Sequence, residues 1–392
     1  MSRKLRRIVS LTAAATGLAL GVPLWAQAPA HAAGGACITG GFEFTDSAGA
    51  RQPGQEFTVE VRRAGRTTVL ASTTTGADGR FRVCVSEAQA AYDVDVHVVY
   101  SNPYWKVVSG RKGVYLTALA SERDVVPGSD LDLGTMLPGS DQSMTAAGIF
   151  DSVRKAWDWV PDDCWDADDA VCRQKVVSWP NKSLTEEAAS YNTRTDTVEL
   201  DGPVQESTVI HELGHAIMDD VYEDDFPVPE DGCYSHQMNK AYGPICAWTE
   251  GWPTYFALTV LDTPIWTQAD WDDDAEYGPG DRGWTWAEGE DAEIRVVAAM
   301  WDLADANNEA GESCTEDARG PLWRTFQAHR AETFRQYWAQ RAADGYAVGS
   351  RELACLQHNT IDFSDVTAAT ADAGTTPKGH GRPALPPRRP RG

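Results

Sequence analysis

Residues 208–217 read Thr-Val-Ile-His-Glu-Leu-Gly-His-Ala-Ile. Residues four apart on an α-helix lie one above the other, so His211 and His215 can offer their imidazoles to one metal ion. Glu212 follows the first of them, points slightly aside, and is placed to take a proton from an attacking water. Val209, Ile210, Leu213, Ala216 and Ile217 give the segment an apolar body, and Glu212 is its only charge between Ser207 and Met218. The simpler reading, two surface histidines beside a solvated glutamate, needs a polar helix, and this one is apolar. The chemistry implied is metal-assisted hydrolysis.

Two histidines do not complete a catalytic zinc site; a third protein ligand is needed, with one position left open. The spacing H-E-x-x-H-x-x-G-x-x-H would require Gly at 218 and His at 221, where the chain has Met218 and Val221, so the metzincin class is excluded. A downstream carboxylate is the alternative. Glu250 is the only acid between Cys246 and Ala257, and an unpaired carboxylate buried in so apolar a stretch would be costly. Pro253 is tolerated in the first turn of a helix, which predicts a helix start near Glu250. On that register the competing reading, ranked below the ligand one, makes Glu250 a helix-start acid favoured by the dipole. Glu290 and Glu293, at the edge of the next helical pattern, are weaker rivals as ligands.

His211-Glu212-x-x-His215, followed after 34 further residues by Glu250-Gly251-Trp252, resembles the gluzincin metallopeptidases, specifically the Glu-Gly-Trp segment of fungalysin-type enzymes. The resemblance covers roughly 145–360 as an order of elements and about a dozen residues as motif. It implies zinc held by His211, His215 and Glu250, with Glu212 as general base. It also implies a further His or Tyr donor facing the transition-state oxyanion, for which His329, His358 and Tyr255 are the candidates. One departure stands out: the family commonly has Asp four residues after the Glu ligand, orienting a ligand histidine, and this chain has Thr254. A hydroxyl accepts the same hydrogen bond but brings no charge, which leaves ligand basicity and zinc affinity open.

The elements that must position these residues can be read from periodicity. Between 33 and 137, Phe57, Val59 and Val61, then Phe81, Val83 and Val85, then Val94, Val96 and Val98 alternate with other residues, separated by turn signals such as Asp78-Gly79. This predicts an antiparallel β-sandwich, and the run from Ala71 to Phe81 resembles transthyretin-like regulatory domains attached to carboxypeptidases. After Leu137-Pro138-Gly139 the pattern turns helical, with strand-like segments at 175–179 and 189–200. Helices are expected at about 205–221, 249–261, 292–306, 322–341 and 351–358. The expected architecture is multidomain: the β-sandwich at 33–137, then a mainly helical α+β zincin-type catalytic domain at 138–365. Residues 366–392 read as a disordered Pro/Arg-rich tail. Residues 1–32 read as a secretory signal peptide: a basic start, an apolar Ile8–Trp25, and Ala30-His31-Ala32 as cleavage site.

Removing that signal, with its four basic residues, takes the net charge from −24 to −28. Such a charge argues against nucleic acid or anionic lipid as partners and suits a secreted, extracellular protein acting on protein or peptide substrates. Eight cysteines in an exported chain imply disulfides, most economically Cys37–Cys84, Cys164–Cys172, Cys233–Cys246 and Cys314–Cys355. Thirteen of the 15 tryptophans fall in 157–338, where core filling is the expectation over a binding platform. Acidic runs at 162–169 and 272–274 make calcium a secondary candidate cofactor, although none fits the twelve-residue calcium loop. The function read from the sequence is a secreted zinc-dependent metalloendopeptidase. The alternative is a metallopeptidase-fold binding or adhesion protein with weak or no turnover, and an aminopeptidase ranks third.

Overall fold

In the computed structural model the described residues are 35–86, 91–110, 113–160, 174–182, 184, 189–229, 233, 236–268, 271–275, 286–307 and 313–366. The expected signal peptide, the pair Cys164–Cys172 and all but the first residue of the expected tail lie outside them. No helix among the described residues is long and apolar enough to cross a membrane.

The N-terminal region is β-rich. Strands β1 (Ala36–Thr45), β2 (Arg51–Pro53), β3 (Thr58–Arg63), β4 (Val69–Thr74), β5 (Arg80–Val85), β6 (Tyr92–Val99), β7 (Trp105–Val108), β8 (Leu116–Val125) and β9 (Asp130–Met136) follow in order. One sheet runs β2-β1-β5 with β9 also on β1, and the other runs β4-β3-β6-β8. The alternation read in the sequence is the burial pattern: Tyr92, Val94, Val96 and Val98 of β6 face inward, as do Phe81, Val83 and Val85 of β5. Each such side chain stabilises the core by roughly 1.5–3 kcal/mol relative to exposure. Phe42 and Phe57 meet edge to face, ring centroids 5.0 Å apart, where the sheets pack together. The expectation of a wholly antiparallel arrangement needs correction, because β9 pairs parallel to β1.

A second difference concerns β7, which the sequence reading placed within the N-terminal region. It pairs parallel with β10 (Lys175–Ser178), at the end of a four-stranded sheet whose other members, in order, are β11 (Ala189–Asn192) and β12 (Thr197–Leu200), the latter next to β10. The sheet of the C-terminal region is thus completed by a strand from the N-terminal one. Parallel pairing across so long a connection has no local signal. The predicted strand over 189–200 is a hairpin, β11 (Ala189–Asn192) and β12 (Thr197–Leu200). Asp196 at its turn has φ 50°, and the Asn192 side chain accepts from the Arg194 amide. β11 is the sheet edge.

Helix α1 (Asp141–Trp159) is capped by the Ser140 hydroxyl, which accepts from the Ser143 amide. Helix α2 (Glu206–Val221) carries the motif and is buried almost all round, as its apolar sequence requires. Its last turn brings Asp219 and Asp220 inside, where Lys175 of β10 pairs with Asp220 and the Tyr191 hydroxyl donates to Asp219 at 2.7 Å. These contacts lock α2 onto the sheet.

Helix α3 (Pro244–Leu261) starts earlier than expected and runs straight through Pro253. Glu250 is therefore its seventh residue, beyond the reach of the N-terminal dipole. A hairpin of β13 (Ile265–Gln268) and β14 (Trp271–Asp274) follows, then α4 (Glu293–Ala304). The single helix predicted over 322–341 is two, α5 (Trp323–Ala328) and α6 (Phe334–Ala343). His329 ends the first in extended backbone, and the Thr333 hydroxyl caps the second. Helix α7 (Ser350–His358) closes the order. Tryptophans fill the core as expected: Trp252 stacks on Phe326 at 3.6 Å, and Trp159 meets Phe256 and Trp323 edge to face. Three expected disulfides are formed, Cys37–Cys84, Cys233–Cys246 and Cys314–Cys355.

Candidate metal centre

Helix α2 stacks His211 over His215, and α3 crosses it so that Glu250 meets both. The Nε2 atoms of the two histidines are 3.0 Å apart, and Glu250 Oε2 is 3.3 Å from the first and 3.2 Å from the second. Three ligands bound tetrahedrally at ~2.1 Å would be spaced by roughly 3.4 Å, so this triangle is the size one small divalent ion needs. The close crossing depends on Gly214: a Cβ there would come within 2.8 Å of Pro253 Cα. Pro253 in turn belongs to the stretch that sets Glu250, so a glycine of the motif and a proline of the next helix fix the gap between the histidine pair and the carboxylate.

The electrostatics agree with a cation site. Burial opposes the charge on Glu250, but His215, His211 and His236 outweigh it and hold the carboxyl well below the usual range. Burial likewise opposes a charge on His215, and the Glu250 carboxylate reverses this, raising its pKa. Among the described residues it is imidazoles that offset the charge of this carboxylate, an arrangement a divalent cation would take over directly.

His211 Nδ1 faces Thr254 Oγ1 at 2.9 Å, so Thr254 does stand where the resemblance expects an aspartate to act. The Thr254 hydroxyl donates onward to Glu293 Oε1 at 3.1 Å. Glu293, a rival ligand from sequence, lies behind the triangle rather than in it. Glu290, the other rival, pairs with Arg335 at 2.9 Å. Glu212 is buried beside the two histidines, as its helix position dictates.

Sequence reasoning missed His236. Its Nε2 lies 3.6 Å from Glu250 Oε2 and 3.1 Å from Glu293 Oε2, and its Nδ1 is 3.0 Å from the Cys233 carbonyl oxygen. Burial disfavours its charge, yet the bond to Glu293, the charges of Glu250 and Glu293 and the Cys233 carbonyl raise it to about 10. The available signal was position: His236 falls between the helices of His211 and Glu250, three residues from Cys233, which the disulfide to Cys246 ties to the first turn of α3. That disulfide also removes Cys233 from any thiolate role beside His236 and Glu250. Three residues are expected as candidate donors to the oxyanion. His329 pairs with Asp344 at 2.7 Å, and Tyr255 is buried toward Tyr337, Glu316 and Arg341. His358 ends α7.

Aromatic side chains flank the triangle. The Trp266 ring is 5.4 Å from that of His211, and the Phe226 ring 5.9 Å from that of His215. The acidic run at 162–169 expected to attract calcium lies outside the described residues, and the side chains of 272–274 are not described.

The profile of the mycolysin C-terminal domain matches residues 159–360, and that of the mycolysin middle domain matches residues 37–145. No curated protein matches the chain. Among solved structures, a 5-hydroxyisourate hydrolase from Klebsiella pneumoniae is 20% identical over 27% of this chain and 92% of its own, with a TM-score of 0.17. A 9R-lipoxygenase from Cyanothece is 15% identical over 52% of this chain and 29% of its own, with a TM-score of 0.20. Neither structural likeness carries weight for fold or activity.

Proposed function

The chain belongs to the mycolysin family, whose C-terminal domain spans more than half of it, and from that premise we propose that it is a secreted zinc-dependent endopeptidase. Family membership supports a peptidase related to the thermolysin-like metallopeptidases, acting on protein or peptide substrates. The single observation that carries the metal reading is the triangle of His211, His215 and Glu250, with donor atoms 3.0–3.3 Å apart. Its two imidazoles and one carboxylate are the donor set that suits a catalytic zinc with an open position. The disulfides support passage to an oxidising compartment.

In this reading His211, His215 and Glu250 hold the ion. When bound, zinc would polarise the scissile carbonyl and acidify water. Glu212, next to His211 on the same helix, removes the proton of the attacking water and delivers it to the leaving amine. His236 takes the role left open among His329, His358 and Tyr255. It is the further imidazole nearest the ligands among the described residues, and its charge offsets the negative charge that develops on the carbonyl oxygen. The edge strand β11, directly before the motif helix, is available to an extended substrate backbone.

The test is zinc content by mass spectrometry together with cleavage of casein and blocked peptides. The expected result is one zinc per chain, activity lost on chelation, and a Glu212→Gln variant that keeps zinc but not turnover. Full activity in Glu212→Gln would sink the mechanism. Zinc bound without any cleavage would favour a binding or adhesion protein, and cleavage confined to peptides with a free N-terminus an aminopeptidase.

A further inference from the structure

Resting on that metal reading, we propose that Glu293 is a positioning residue of the centre. Through the Thr254 hydroxyl it sets which nitrogen of His211 carries the proton, and through its second oxygen it holds His236.

The argument is one of counting protons. A hydroxyl has one hydrogen, and a carboxylate can only accept. Thr254 Oγ1 lies 3.1 Å from Glu293 Oε1, so the hydroxyl hydrogen goes there. The Thr254 oxygen is then left as an acceptor for His211 Nδ1, 2.9 Å away. Nδ1 must carry the hydrogen, and Nε2 keeps its lone pair on the side where His215 and Glu250 converge. Thr254 is 0% exposed and Glu293 4%, so both bonds are shielded from bulk water. The charge that the threonine lacks is supplied one bond further on, from a different helix.

A carboxylate in the first turn of α4 would be favoured by the helix dipole in any case. That explains an acid at the position but not the direction of its two oxygens, one toward Thr254 and the other 3.1 Å from His236 Nε2. Glu293 thus ties three supports of the site together: α3 through Thr254, the loop of His236, and its own helix. Partners behind a ligand histidine change metal affinity by about 10–100-fold when removed, because they set ring orientation and ligand basicity.

The experiment uses the full chain and reads zinc affinity by chelator competition, together with the His211 tautomer from nitrogen-15 spectra of the metal-free protein. Thr254→Val and Glu293→Gln should each weaken zinc by about 10–100-fold. Because the two act in series on His211, the double variant should lose far less than the product of the single losses. Thr254→Ser should keep the affinity, and Thr254→Asp should recover most of it in the Glu293→Gln background. The native protein should show His211 protonated at Nδ1, and Thr254→Val should lose that preference. Affinity unchanged in the single variants, multiplicative losses, or a native Nδ1 pattern in Thr254→Val would overturn the proposal while leaving the zinc centre intact. An unmodified protein that binds no zinc would overturn the metal reading, and the relay with it.

Discussion

Replacing Gly214 by alanine tests whether the crossing of α2 over α3 sets the size of the donor triangle. An added Cβ would lie 2.8 Å from Pro253 Cα, 2.9 Å from Pro253 Cβ and 3.5 Å from Phe256 Cδ1. Carbon atoms rest at about 3.5–4.0 Å, so the helices must part by roughly 1 Å, and the obstacle is backbone rather than a flexible side-chain tip. Overpacking of this kind costs about 1–3 kcal/mol. Alanine recovers about 1 kcal/mol through its better helix propensity, which leaves a net destabilisation of about 0–2 kcal/mol. Metal binding should suffer more than folding. His211 and His215 ride on one helix and Glu250 on the other, and ligand distances tolerate only about 0.2 Å. Zinc affinity should fall at least about tenfold, or ~1.4 kcal/mol. The assay is chelator competition beside melting of the metal-free protein. A Gly214→Ala protein that melts higher than the original and binds zinc equally well would refute the reasoning.

Lys175→Met should lower the stability of the metal-free protein by about 3–5 kcal/mol in denaturant unfolding, because it leaves Asp220 buried without its cation; adding Asp220→Asn should recover much of the loss. Glu352 receives the Gly349 amide at the start of α7. Burial opposes its charge, but Arg351 and backbone amides outweigh this and lower its pKa from 4.5. A depressed carboxylate stabilises the fold above its ordinary value and loses that contribution as pH falls through the folded-state value. Glu352→Gln should therefore cost about 1 kcal/mol near neutrality and show a shallower fall of Tm below pH 4.5 than the original. Equal acid slopes would rule this out. Chelation of the zinc-loaded protein should lower Tm, by an amount that grows with the zinc concentration before removal; a Tm indifferent to zinc would contradict a folded-state metal site.

The local parts of this protein were legible in its residues. The strict i, i+4 spacing of His211 and His215 needs only a helix to bring the two imidazoles together, and alternating valines need only a strand to become a core face. The near-neighbour cysteines paired as economy of loop closure suggests wherever both partners are described. Even Glu250 announced itself, as the one acid in a stretch too apolar to leave it unpaired. Other features depended on chain segments far apart in sequence. Local propensity placed the start of α3 near Glu250, with Pro253 in its first turn, but the packed helix begins at Pro244 and tolerates that proline in its interior against Gly214. Nothing near Trp105 indicates that β7 joins β10, because a parallel partner is found only through the tertiary path. Most of all, a single residue type could not reveal how Thr254 replaces an aspartate. Hydrogen bonds run along directions that only the fold defines, and it took three elements, α3, α4 and the loop of His236, to bring Glu293 behind the hydroxyl. Spacing along a helix names the candidate ligands; the hydrogen bonds behind them are set by what the rest of the chain packs against that helix.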